Sequence, residues 1–183
     1  MIPQRNHSRD RCAKFENNMS QYYKVVNLDK KQFFSPDIFN DGVKLGAVMN
    51  GIHPYVVGRL LLADFDSNKP TDKFHIGYWS GDKIAIIGDE SRNEFNDRQQ
   101  EFENVGAELI FSFINEENFQ ELILNQLKSD NRYYARIGFL IHQYADQAEG
   151  LKKFLIQNFG ADWEKRAKEV WEDKKTTFIE LNV

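Results

Sequence analysis

Residues 78–90, YWSGDKIAIIGDE, set two Gly-Asp pairs, Gly81-Asp82 and Gly88-Asp89, on either side of the apolar run Ile84, Ala85, Ile86 and Ile87. β-branched residues bounded by Gly and Asp are the pattern of a strand with a turn at each end. The reading places strands at 74–79 and 83–87, joined at Ser80-Gly81-Asp82. A six-residue strand is about 20 Å long, so Asp82 and Asp89 belong to opposite ends of one strand and form no single motif.

Upstream, QYYKVV and KQFF are short, aromatic and β-branched, and the NLDK between them favours a tight reversal. They read as a hairpin. In SPDIF, Ser35 is a candidate N-cap, Pro36 suits the first helical position and Asp37 the first turn. The Asp41-Gly42 pair argues against one long helix. PYVVGRLLLADF, with Val56, Val57, Leu60, Leu61 and Leu62 leaving no clear polar face, reads as a buried strand. DSNKPTDK, with Pro70 among several turn formers, reads as a loop.

The second half changes period. Phe95, Gln99, Phe102 and Val105 suggest an amphipathic helix over 93–105. AELIFSFI, residues 107–114, fits a strand through Leu109, Phe111 and Phe113, or a helix through Leu109, Ile110, Phe113 and Ile114; the helix fits slightly better. Asn115 is placed to cap a helix with the stripe Phe119, Leu122, Ile123 and Leu127, with Glu116 and Glu117 in its first turn. Tyr133, Ile137, Leu140, Ile141 and Tyr144 line the next. Ala148, Leu151, Phe154, Leu155 and Phe159 line another, which ends at Gly160. Asp162 precedes a last helix with Trp163, Ala167, Val170 and Trp171 on one face, and TTFIELNV reads as an edge strand. The expectation is an α+β domain over 19–183, with an antiparallel or mixed sheet from the N-terminal half packed against C-terminal helices. Residues 1–18, polar and without the apolar stretch of a signal peptide, read as a disordered tail.

Composition bounds the function. Of 183 residues, 41% are hydrophobic and 14% aromatic, enough for a sizeable core. The formal charge of −4 is spread over interspersed acidic and basic residues, which disfavours nucleic-acid binding. One cysteine, Cys12, precludes an internal disulfide and suits the cytoplasm. No run approaches the roughly 18 apolar residues needed to cross a bilayer.

No recognisable catalytic set is present. His7, His53, His75 and His142 are scattered singly, without metal-ligand spacing. His142 reads as a partly buried core histidine. His75, near Asp82 or Asp89 at a strand end, would make an acid–base pair. Asp64, Asp66, Asp89 and Glu90 would hold Mg²⁺ or Ca²⁺ if two strand ends met. Against both stands the ordinary use of Asp and Gly in turns. No serine elbow or phosphate-binding glycine loop occurs. Tyr22, Tyr23, Tyr78, Trp79, Tyr133, Tyr134, Trp163 and Trp171 serve a core first and an interface with a protein partner or second copy otherwise.

The motifs Tyr22-Tyr23 to Asn27, Asp41-Gly42-Val43-Lys44-Leu45 and the block from Trp79 through Gly81-Asp82, Ile84, Ile86 and Gly88-Asp89 occur in that order. In this the region 20–90 resembles an uncharacterised family of small bacterial and fungal proteins carrying a W-x-G-D-x-I-x-I-x-G-D block. The resemblance implies no activity and no site residues. By elimination the expected function is non-catalytic, a protein-binding or regulatory role. The alternatives are a small-molecule or divalent-metal enzyme using His75, Asp82, Asp89 and Glu90, and an immunity or antitoxin-like inhibitor with an acidic face.

Overall fold

The computed structural model describes residues 21–41, 44–45, 51–62 and 73–180, excepting the side chains of 171 and 173–180. β1 (Tyr23–Asn27) and β2 (Gln32–Phe34) form the expected hairpin, with Val25 opposite Phe34 and Asn27 opposite Gln32. β3 (Ile84–Gly88) lies antiparallel on the other side of β1, and β4 (Glu103–Asn104) lies parallel to β2. The sheet order is β3-β1-β2-β4, a mixed sheet. Seven α-helices are described, six of them after β3: α1 (Ile52–Leu61), α2 (Glu94–Asp97), α3 (Gly106–Phe113), α4 (Glu117–Ser129), α5 (Asn131–Gln143), α6 (Glu149–Phe159) and α7 (Trp163–Glu180). The architecture is α+β.

Strand alternation divides the sheet's side chains between two cores. Val25 and Phe34 face the larger one, which continues through Trp79 and Leu60 to Phe119, Ile137 and Leu155 on the helices. Val26 and Phe33 face the opposite way, onto Phe95, Phe102 and Ile87. The amphipathic stripes foreseen for α4, α5 and α6 face the core, with Leu122, Tyr144 and Phe159 only partly buried at its margin, and α6 stops at Gly160, whose φ of 87° suits glycine. The stretch 107–114 is helical: α3 buries Leu109, Ile110 and Phe113.

PYVVGRLLLADF is not a strand, for its residues up to Leu61 lie in α1. Ile52, Val56 and Leu60 are buried at intervals of four, while Gly58 and Leu61 are on the outside. Starting the stretch at Pro54 hid the first of these. Pro54 sits in the first turn, where proline is tolerated. Asp41 does the work of a cap: its Oδ2 accepts from the backbone N–H of Ile52 (2.7 Å) and of His53 (2.8 Å). Arg59 and Tyr55 then tie α1 to the start of α4, donating to Glu116 at 2.6 and 2.7 Å.

Residues 74–79 are likewise a series of turns instead of a strand. Phe74 has φ 63° and Gly77 φ 78°, which extended backbone excludes. The segment turns because it closes the C-terminus of α1: Gly77 N–H donates to the Arg59 carbonyl and Trp79 N–H to that of Leu60, both at 2.8 Å. Ser80-Gly81-Asp82 therefore leads into β3 without joining two strands, and β3 pairs with β1.

The expected helix over 93–105 breaks into α2, a 3-10 turn (Gln99–Glu101) and β4. Asn93 caps α2, accepting from Asn96 N–H at 2.9 Å. The helix ends early because Glu103 N–H donates to Lys31 carbonyl and Val105 N–H to Phe33 carbonyl, adding β4 to the sheet. Ser35 precedes only a 3-10 turn (Pro36–Phe39) and makes no side-chain cap bond. Glu116, not Asn115, occupies the cap position of α4. TTFIELNV is helical up to Glu180, since no Gly or Pro interrupts α7; its last three residues lie outside the described ones. The tail, residues 1–18, and the DSNKPTDK loop up to residue 72 also lie outside them.

A close approach between α5 and α7 tests this packing. A Cβ added at Gly138 on α5 would lie 2.7 Å from the Cβ of buried Ala167 on α7. On an exposed helix Gly→Ala gains about 1 kcal/mol; here Gly138→Ala is expected to cost about 1–3 kcal/mol by overpacking, read from urea denaturation midpoints.

Candidate functional site

The carboxylates singled out from the sequence occupy both ends of β3, and they hold the strand in place. Asp82 accepts from Asn27 Nδ2 at 2.8 Å and from Lys30 Nζ at 2.5 Å. Asn27 is fully buried, and its Oδ1 accepts from the N–H groups of Asp29 and Lys30 in the β1–β2 turn. Asp29 in turn accepts from Lys83 N–H at 2.8 Å. These contacts lock the hairpin turn to the entry of β3. Burial works against the Asp82 charge, but the bonds from Lys30 and Asn27 prevail and hold its carboxyl below the usual aspartate range.

At the far end, Asp89 Oδ1 accepts from Tyr22 N–H at 3.0 Å, Asp89 N–H donates to Tyr22 carbonyl, and Glu90 is exposed. His75 meets Tyr78 edge-on with ring centroids 5.6 Å apart, in the turn segment. The structure thus does not gather His75, Asp82, Asp89 and Glu90 into one site. Among the described residues no three metal-ligating side chains come together, while Asp64 and Asp66 lie outside those residues. His142 is on the exposed surface of α5, 3.8 Å from Glu164, and not in the core.

What the sequence reading passed over is the backbone between the carboxylates. In the antiparallel pairing with β1, Leu28 N–H bonds Lys83 carbonyl and Asp89 N–H bonds Tyr22 carbonyl, both at 2.9 Å. Alternation then turns the N–H and C=O groups of Ala85 and Ile87 toward β1 and those of Ile84, Ile86 and Gly88 away from it. Gly88 carbonyl is covered by Asn96 Nδ2 at 2.8 Å. For Ile84 and Ile86, no described residue takes the outward groups, because β3 is the last strand of the sheet.

The two sheet edges differ. β4 has two residues, and its Glu103 is held by Gln32 and Lys73, a short, charged edge of the kind that resists further pairing. β3 has five residues, IAIIG, with neither charge nor proline. Its Ile86 is 46% exposed. Beside it, between β3 and α1, runs a groove of about 490 Å³ whose mainly aliphatic walls include Val25, Val57, Leu61, Ile84 and Ile86, with His53 also at its edge. A Cβ at Gly58 would meet nothing within 4 Å, so the α1 wall stands clear. Leu61 and the adjacent Leu62 are themselves 39% and 52% exposed.

Fold and edge together define an α+β protein whose mixed sheet ends in an apolar strand that is open among the described residues and borders a mainly aliphatic groove. No protein-family model matches the chain, and neither a curated protein nor a solved structure does so. No described helix is long and apolar enough to cross a membrane.

Asp82 supplies a pH test of the strand's anchoring. Its carboxyl titrates lower in the folded than in the unfolded chain, so its contribution is present above the unfolded value of about 3.9 and is lost as pH falls through the folded value. Asp82→Asn is expected to cost about 1 kcal/mol near neutral pH. The gap from wild type, measured by chemical denaturation across pH, should narrow below about pH 4; a gap independent of pH would contradict the ion-pair account.

Proposed function

We propose that the protein acts by binding an extended segment of a protein partner along the outer edge of β3. The observation that carries this reading is the pair of outward-facing backbone groups at Ile84 and Ile86 on a five-residue strand free of charge and proline. Such an edge supplies main-chain hydrogen bonds to a fifth strand, and the side chains alternating along that strand provide selectivity. Those on the α1 side would enter the aliphatic groove beside Ile86 and Leu61. The role is recognition without chemistry. Asp82 and Asp89 are committed to backbone and turn contacts, and this favours binding over the carboxylate-enzyme alternative. A partner contact through an acidic face, as in an immunity protein, draws on no comparable feature among the described residues.

The experiment is a selection of 10–12-residue peptides displayed against the full chain, followed by affinity measurement on wild type and Ile86→Lys. Extended peptides with alternating apolar residues should emerge. Ile86→Lys should fold normally, because the side chain is half exposed, and weaken them at least about tenfold by setting a charge against the incoming strand. Failure to select any peptide, or peptides indifferent to Ile86→Lys, would overturn the proposal.

A further inference from the structure

A second cleft, remote in sequence from β3, lies where the 3-10 turn Pro36–Phe39 and Asp41 meet the N-terminal end of α5. It holds about 390 Å³. Two of its carboxylates face guanidinium groups. Arg136 donates to the Asp37 carbonyl and to Asp37 Oδ2, both at 2.6 Å. Asp130 accepts from Arg132 N–H at 2.7 Å and from Arg132 Nε at 3.3 Å. The third, Asp41, holds the start of α1 and lies 3.0 Å from His53 Nδ1.

Tyr133 breaks this pattern of matched groups. Tyr133 borders the cleft, is buried to 1% exposure, and its hydroxyl has no hydrogen-bond partner among the described residues. Burial, reinforced by the Asp41 charge and opposed by Arg136, pushes its pKa above the usual tyrosine range, so the group stays a phenol and a donor. A buried donor without an acceptor is rare and asks for an explanation. An acceptor carried by a ligand would provide one.

The charges around the hydroxyl restrict what that ligand is. A bare anion would meet Asp37, Asp41 and Asp130, and a bare cation would meet Arg132 and Arg136. A molecule with both signs, separated by one or two bonds, avoids either conflict. We propose that this cleft binds a small zwitterion of the α-amino-acid type. Its carboxylate accepts from the Tyr133 hydroxyl and from Arg132, whose side chain is 75% exposed and is engaged only by Asp130 among the described residues; its ammonium faces the Asp37 and Asp130 carboxylates. Because the hydroxyl is sealed from solvent, entry displaces the half-exposed Arg136–Asp37 pair. This inference is independent of strand addition at β3.

The test titrates each of the twenty amino acids, inorganic phosphate and calcium into the full chain, for wild type and Tyr133→Phe, by thermal melting and calorimetry. Tyr133→Phe removes only an unpartnered oxygen and should melt at or above the wild-type temperature. At least one amino acid should raise the wild-type melting temperature, as any ligand selective for the native state does. The variant should bind it about tenfold or more weakly. Should Tyr133→Phe misfold, the exposed Arg132→Gln carries the same comparison. No amino acid binding, equal affinity in the variants, or stabilisation by phosphate or calcium alone would overturn the proposal.

Discussion

Everything on the sheet side of the molecule depends on β1 being hydrogen-bonded along both edges. Its backbone alternates, with Val25 and Asn27 turned to β2 and Lys24 and Val26 turned to β3. Its side chains alternate as well, with Val25 facing the large core and Val26 the smaller one. A one-residue slip would reverse both alternations at once. Asn27 guards against the slip from its buried position, binding the hairpin turn through Oδ1 and Asp82 through Nδ2, so the two flanking strands are set by one side chain.

From that constraint follows the unequal treatment of the edges. With β1 saturated, whatever pairing capacity remains must lie on β3 or β4. β4 is closed by length and charge, and its Glu103 helps position Gln32, which accepts from Trp79 Nε1 at 3.0 Å in the core. Of its outward-facing carbonyls, β3 has only that of Gly88 covered by the described residues. Its carboxylate flanks, Asp82 and Asp89, keep it extended and in register while leaving the middle bare. The residues that looked chemical in the sequence thus present the ones that looked merely structural.

Much of the fold was legible because some segments carry their own period. The hairpin, α4, α5 and α6 each show the alternation or stripe that they use. The failures have a common cause in long-range backbone bonds. Residues 74–79 resemble a strand in composition but bend to close α1, and 93–105 have helical spacing, yet Glu103 and Asn104 are drawn out to pair with β2. In α1 the cap comes from Asp41, eleven positions before Ile52, which no local pattern discloses. The same limit applies to the site. That 84–87 is an apolar strand was readable, but which of its residues face outward depends on the partner strand. Nor could the sequence have told that the hydroxyl of Tyr133, a stripe residue of α5, finds no acceptor among the described residues.

The central claim is that no described residue pairs with the outward backbone groups of Ile84 and Ile86. Amide hydrogen exchange of the free protein, resolved by residue in NMR spectra, tests it most directly. The account predicts slow exchange at Ala85 and Ile87, whose N–H groups bond β1, and fast exchange at Ile84 and Ile86. Equal protection at all four positions would mean that the outer edge is already paired, and would contradict it.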